Sequence, residues 1–287
     1  MSDPTAIPAP FLWRRLHSLT GLFFVLYLFE HLLINSQAAL WIGEDGTGFV
    51  EAVNAIHRIP FLPFIEVGLL GVPIALHTFL GVRYLFTAQQ NSSSTDGSKP
   101  SLPNYSRNHA YTWQRYTSWI LLFGLIFHVI HMRFVEYPAS TKEGSEHLYM
   151  IRAQEDLGLR ALSKRLGVEI LESNQITESS PWFSALQNKP LGQGEVIAIA
   201  PSFGTADLLV VRETFKMPIM LAIYTLFVGA ACFHGFNGLW TFMISWGINL
   251  TQPSQKYMLV FSHFLMLLVA FFGLAAIWGT YWINLKQ

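Results

Sequence analysis

Five stretches of this 287-residue chain are long and apolar enough to cross a membrane, and that fixes the class of fold before any other feature. A hydrocarbon core about 30 Å thick needs roughly 20 apolar residues in a helix. The segments Ser18 to Ser36, Leu62 to Phe86, Thr112 to Val135, Pro218 to Gly247 and Met258 to Trp282 meet that test. In lipid each backbone polar group must be satisfied within the structure, so such segments are helical. The expectation is an all-α membrane protein with five transmembrane helices in a bundle. Pro73 falls inside the second span, where the lost backbone hydrogen bond predicts a kink. Composition agrees, with 52% hydrophobic and 13% charged residues and a mean hydropathy of +0.36. Lys plus Arg number 18, as do Asp plus Glu. There is no basic surplus to neutralise phosphates, which excludes a nucleic-acid partner. One cysteine, Cys232, excludes a disulfide framework and a cysteine-held zinc or iron–sulfur site.

Positive residues in the short loops set the direction. Arg14 and Arg15 precede the first span, Lys99, Arg107 and Arg115 lie between or at the ends of the second and third, and Lys256 lies between the fourth and fifth. All fall on one side, which reads as cytoplasmic. The other side has Arg58 and Lys286 and the long segment from Glu136 to Lys216, whose charges count little because long loops translocate regardless. The N-terminus is therefore expected inside. The apolar run after Arg15 is too long for a secretory signal and carries Glu30 and His31, so it reads as a retained span. The organisation is residues 1–135, with three spans; residues 136–216, a small extracytoplasmic cap; and residues 217–287, with the last two spans. Within the cap, Glu146 to Leu171 reads as helix on a leucine stripe. Val196 to Ile199 and Leu208 to Arg212 read as a hairpin. Asn91 to Pro103 reads as a flexible linker.

Of ten histidines, four lie inside four different spans: His31, His77, His128 and His234. An ionisable group inside a membrane is costly and marks function by default. A single buried histidine is as readily a hydrogen-bond partner of a neighbouring helix, but one per helix in four helices is harder to explain that way. Counted from the outer end of each span, His31 lies roughly 8 Å deep and His128 roughly 10 Å. His77 lies roughly 22 Å deep and His234 roughly 24 Å. Two levels result, about 14 Å apart, each holding two histidines from different helices. Two facing imidazoles at one level are what a six-coordinate haem iron needs. Gly81, Gly124 and Gly238 each lie one turn from one of these histidines, where a small residue helps helices part around a porphyrin or pack closely together. His131, one turn beyond His128, also suits the depth of His31, and spacing alone leaves both open.

The runs Arg14-Arg15-Leu16-His17-Ser18, Glu30-His31-Leu32-Leu33, Gln114-Arg115 and Asn237-Gly238-Leu239-Trp240 resemble the cytochrome b subunit of succinate dehydrogenase and fumarate reductase, in its single-subunit, five-helix, two-haem form. The resemblance covers all five spans and does not extend to residues 136–216. It implies two haems b, one held by His31 and His128 and the other by His77 and His234, and so favours His128 over His131. It also implies a flavoprotein and an iron–sulfur subunit docked on the cytoplasmic face of a bacterial inner membrane, with quinone as electron-exchange partner. The chain has no dinucleotide fingerprint and no cysteine cluster, so it would not oxidise succinate by itself.

Quinone chemistry moves two protons with two electrons and needs a carboxylate or histidine near water. Glu51, His57 and Glu66 lie in or beside the outer loop between the first two spans; Glu66 or Glu51 is the expected proton-handling group. Haem propionates are anionic and attract cationic and hydroxyl groups. His17, Ser18, Arg15, Arg115 and Tyr111 are the inner-face candidates, although docking and positive-inside anchoring account equally for the two arginines. Two rival readings differ in their partners or cofactor. One is a dihaem cytochrome b subunit of a hydrogenase or formate dehydrogenase; the other is a non-haem, proton-coupled transporter, disfavoured by the lack of paired repeats with broken helices.

Overall fold

The structure is a computed structural model. It describes residues 7–40, 46–87, 91–98, 101–144, 146–177, 180, 182–183 and 190–285. Lys99 and Lys286 lie outside the described residues. Among the described residues five helices are long and apolar enough to cross a membrane: α1 (Ala9–Ser36), α3 (Leu62–Thr87), α4 (Ser106–Val135), α7 (Pro218–Ser245) and α8 (Gln252–Leu285). The chain is a multi-pass membrane protein whose spans are all helical. A short helix, α2 (Thr47–His57), precedes α3. Large apolar side chains such as Phe64, Phe79 and Phe123 are exposed along α3 and α4, as lipid-facing surfaces require.

Pro73 acts on α3 through the turn before it. Residues Glu66–Gly71 form a π-helical turn, and the Val72 amide bonds the Val67 carbonyl. Proline has no amide hydrogen and its ring crowds the carbonyl four residues back. Widening the preceding turn relieves that crowding and re-satisfies the backbone. Glu66 opens this turn. Helix α7 stops just before Gly247, whose φ of 74° is in the left-handed region where glycine bears no Cβ penalty. Its neighbour Ile248 donates its amide to the Met243 carbonyl, closing the helix end.

The chain packs as two compact units, Met1–His31, Pro63–Leu125 and Leu226–Phe271 forming the first and Leu32–Leu62, Ile126–Thr225 and Phe272–Gln287 the second. In the first unit the helices approach at small residues. Gly124 receives the Phe227 ring, and Gly235 receives Val25 and Leu28. At one end of this unit Arg107 donates to Gln255 at 2.7 Å and lies over the Trp240 ring.

The second unit contains the segment between α4 and α7, an antiparallel sheet with two helices. Its strands are β1 (Ala139–Glu143), β2 (Glu146–Gln154), β3 (Glu169–Leu171) and β4 (Glu195–Ala200), in the order β1-β2-β4-β3. Helix α5 (Leu157–Leu166) joins β2 to β3, and α6 (Phe203–Thr214) follows β4. Ile151, Ala153, Leu159, Leu162, Ala198, Ala206 and Leu209 form one buried face, and Met150, Trp182, Ile197 and Ile199 the other. Two readings from sequence are corrected here. Residues 146–171 are strand, helix and strand rather than one helix. Because β2 is covered on both faces, Met150 and Ile151 are consecutive and buried, and the alternation that would mark a strand is erased. Leu208 to Arg212 is helix, not a hairpin strand. Ser202 caps α6 by accepting from the Thr205 amide, and burial on nearly every side overrides the strand preference of Val210 and Val211.

A neutral cluster of four charges ties the sheet to the start of α7. Arg212, nearly buried, donates to Asp156 at 2.6 Å and to Glu213 at 2.8 Å. Lys216 pairs with Asp156 at 2.6 Å and with Glu213 at 2.5 Å. Asp156 also caps α5 by accepting from the Leu159 amide. Asn284, near the end of α8, donates to the Arg212 carbonyl. Burial works to raise the Asp156 carboxyl, but hydrogen bonds from Arg212, Lys216 and the Leu159 amide outweigh it and hold it at about 2. An acid whose folded value is depressed stabilises the fold above its unfolded value and loses that contribution as pH falls through the folded one. Thermal unfolding followed in detergent will show stability falling between about pH 4 and pH 2, and Asp156→Asn will flatten that limb. Arg212→Leu, which leaves two carboxylates to share Lys216 alone, will cost about 1–3 kcal/mol at neutral pH in the same assay.

Candidate functional site

The first unit brings two of the four intramembrane histidines close together, edge to face. The rings of His77 on α3 and His234 on α7 have centroids 6.4 Å apart with planes at 77°. Each is aimed by a neighbouring helix. His77 donates from Nδ1 to the His17 carbonyl at 3.0 Å, with Thr20 Oγ1 at 3.1 Å. His234 donates from Nδ1 to the Gln114 carbonyl at 3.2 Å, with Thr117 Oγ1 at 3.4 Å. A carbonyl oxygen can only accept, so Nδ1 carries the proton in both rings and Nε2 keeps a lone pair. That is the tautomer a metal-ligating imidazole adopts. Gly21 leaves the room this requires, since a Cβ there would lie 3.1 Å from His77 Cε1.

The donor set fits a haem. An iron between two imidazole nitrogens at about 2.0 Å each separates the ring centroids by roughly 6 Å. His17 stacks on His77 at 4.0 Å between centroids, and its Nδ1 is buried without a hydrogen-bond partner. Among the described residues nothing completes this nitrogen, which leaves it free to bond a polar group brought by a ligand. Gly81 faces His17 and Gly238 faces Gln114, whereas Gly124 serves the Phe227 contact.

Sequence reasoning missed Thr20, Thr117, Gly21 and Tyr224, and for the threonines a signal existed. His17, Thr20 and His31 on α1 are matched at identical spacing by Gln114, Thr117 and His128 on α4. His77 and Gly81 on α3 are likewise matched by His234 and Gly238 on α7. The structure repeats the match in its bonds, for each threonine hydroxyl donates back to carbonyls of its own helix, Leu16 and Trp113 among them.

His31 belongs to the first unit and His128 to the second. His31 stacks on Tyr27 at 5.4 Å, with the tyrosine hydroxyl 3.5 Å from Nδ1. Tyr27 is also within electrostatic reach of Glu30 and of the half-buried Glu66. Glu51 is exposed on α2 in the second unit. In that unit His128 Nδ1 lies 3.3 Å from the Tyr224 hydroxyl, and His131 Nδ1 lies 3.4 Å from the same hydroxyl. His57 stacks on Phe203 at 4.1 Å and lines a cleft of about 460 Å³ with Arg58, Tyr149 and Ser202.

The remaining candidates gather at one end of the first unit. Arg15 donates to the Ser245 carbonyl at the end of α7 and lies against the Phe11 and Trp246 rings. Ser18 accepts from the Trp246 indole at 2.9 Å. Arg115 lies over the exposed Tyr111 ring at 4.6 Å. Arg15 and Ser18 thus hold the C-terminal end of α7, where carbonyls lack partners within the helix.

Compared with known proteins, the chain is 24% identical over 270 residues to the succinate dehydrogenase cytochrome b558 subunit of Bacillus subtilis (strain 168), covering 94% of this chain and 96% of that one. The chain is thus similar to that subunit over nearly the whole length of both. No family model and no solved structure matches it. The similarity to the cytochrome b subunit runs through all five spans and through residues 136–216 as well, where the sequence motifs were silent.

The helix contacts of the first unit make a packing prediction. A Cβ at Gly124 would lie 2.4 Å from Phe227, while nothing lies within 4 Å of one at Gly229. Gly124→Val will lower stability by about 1–3 kcal/mol. Gly229→Ala will leave it unchanged or raise it by up to about 1 kcal/mol. Thermal unfolding in detergent reads both.

Proposed function

We propose that the chain is the membrane-anchoring, dihaem cytochrome b subunit of a bacterial succinate:quinone oxidoreductase, passing electrons between an iron–sulfur subunit and membrane quinone. The observation that carries this reading is the His77–His234 pair, with each Nδ1 held by the carbonyl of a neighbouring helix and the rings 6.4 Å apart. The name of the Bacillus subtilis relative supports the same assignment and favours it over a hydrogenase or formate dehydrogenase subunit and over a transporter.

In this reading His77 and His234 hold one haem b, and His31 and His128 hold a second. Support for the second pair comes from the depth count and from the matched spacing on α1 and α4. Haem iron bound there would supply one-electron transfer across a span that is otherwise an insulator. His17 offers its unpartnered Nδ1 to a propionate, with Arg115, Tyr111, Arg15 and Ser18 at the same end of the unit. The arginine-rich loops face the cytoplasm, where the flavoprotein and iron–sulfur partners dock. Glu66, rather than Glu51, handles the quinone protons: it opens the π turn of α3 and is within electrostatic reach of Tyr27, whereas Glu51 is a solvated charge on α2.

A reduced-minus-oxidised spectrum with haem quantification on the purified protein tests the core of this. About two haems b per chain are expected. His77→Ala combined with His234→Ala will remove one and leave the other; full haem content in that variant would contradict the assignment. A quinone-reductase assay tests the proton-handling role. Glu66→Gln will lower turnover by about 10²–10⁴ fold with haem content intact, and Glu51→Gln will not. Equal effects of the two substitutions would remove the case for Glu66.

A further inference from the structure

The two haem levels proposed above differ in what holds the ligand's second nitrogen. At His77 and His234 the acceptor is a backbone carbonyl, fixed in position and unable to donate. On α4 it is a side chain. The Tyr224 hydroxyl lies 3.3 Å from His128 Nδ1 and 3.4 Å from His131 Nδ1. Tyr224 and His131 are both buried. The tyrosine ring is held edge-on by Phe215 at 5.4 Å, and His131 is stacked on Phe127 at 5.5 Å. Neither ring swings freely in such packing.

A hydroxyl has one proton, so toward two imidazole nitrogens it can donate to one and accept from the other. We propose that Tyr224 is a positioning residue that selects His128 as the α4 ligand and sets the potential of the haem it holds. This rests on the dihaem reading. With His128 ligating through Nε2, its Nδ1–H donates to Tyr224 Oη, and the Tyr224 O–H donates to His131 Nδ1. His131 then carries its proton on Nε2 and has no lone pair to offer a metal. A ligating imidazole that donates its other N–H is the more basic ligand and favours the more highly charged iron. Losing the acceptor therefore raises the midpoint potential of that haem alone.

The test is a spectroscopic redox titration of the whole complex in membranes, with haem quantified. Tyr224→Phe should retain both haems and raise one of the two potentials. The reduced-to-oxidised ratio of that haem at fixed ambient potential should rise roughly tenfold, about 59 mV for a one-electron couple. Selective loss of one haem with the other unshifted would support the same role. His131→Leu should shift the same potential by less. Two unshifted potentials in Tyr224→Phe, or equal shifts or loss of both haems, overturn the proposal; so does loss of a haem in His131→Leu. Absence of haem in the unaltered protein would sink the dihaem reading itself, which separates the two failures.

Discussion

The hydrogen bond from an imidazole Nδ1 to a carbonyl of the next helix is the interaction on which the first unit depends. Inside a bilayer there is no water to share a polar group with, and an unsatisfied one costs several kcal/mol. A helix carbonyl is ordinarily committed to the amide four residues on. It can accept a second bond because the oxygen has two lone pairs. The His17 and Gln114 carbonyls use that spare capacity for His77 and His234. Each bond satisfies a buried polar group, joins two helices, and fixes the tautomer so that Nε2 keeps a lone pair. A change to either helix therefore reaches the imidazole directly, which makes the orientation of these rings a property of the packing rather than of the histidines alone.

Close helix approach is the second condition, and small residues supply it at particular points. Gly21 admits His77, and Gly124 admits Phe227. Lipid gives no hydrophobic drive for helix association, so such contacts and the interhelical hydrogen bonds hold the spans together. The sheet between α4 and α7 is held by the opposite device. There Arg212, Asp156, Glu213 and Lys216 balance to zero charge with short contacts. A network of this sort is stable only as a whole, because removing one member strands its partner without water.

Much of this was legible in the sequence, and the rest was hidden for physical reasons. The spans were plain because length and hydropathy are one-dimensional, and the intramembrane histidines stood out because ionisable residues are rare there. The pairing of His77 with His234 followed from depth, since a helix converts residue count into height. Of the sheet only β4 was legible, since Val196 to Ile199 read as a strand. Strand β2 is covered on both faces, so its buried residues run together and mimic a helix stripe. Tyr224 was not legible either: its role depends on the rotation of α7 against α4, and no spacing within one helix encodes that. Thr20 and Thr117 could have been found by aligning α1 with α4, because the repeat preserves their distance from the histidines.

The repeat is not perfect, and where it breaks is informative. Gln114 uses its whole side chain, donating to the His234 carbonyl and accepting from Asn237 at 2.7 Å. Its counterpart His17 stacks on His77 and leaves Nδ1 without a partner. The two sides of the His77–His234 pair thus differ in one respect: α4 closes its side with protein hydrogen bonds, and α1 leaves a buried nitrogen open. A buried polar atom left open in this way has spare capacity that a bound group or water can complete. A symmetric site would hold a ligand equally well in either of two orientations. In the proposed haem reading, with one side saturated and the other open, the polar edge of the ligand would turn toward α1, and the departure from symmetry would give the site a direction.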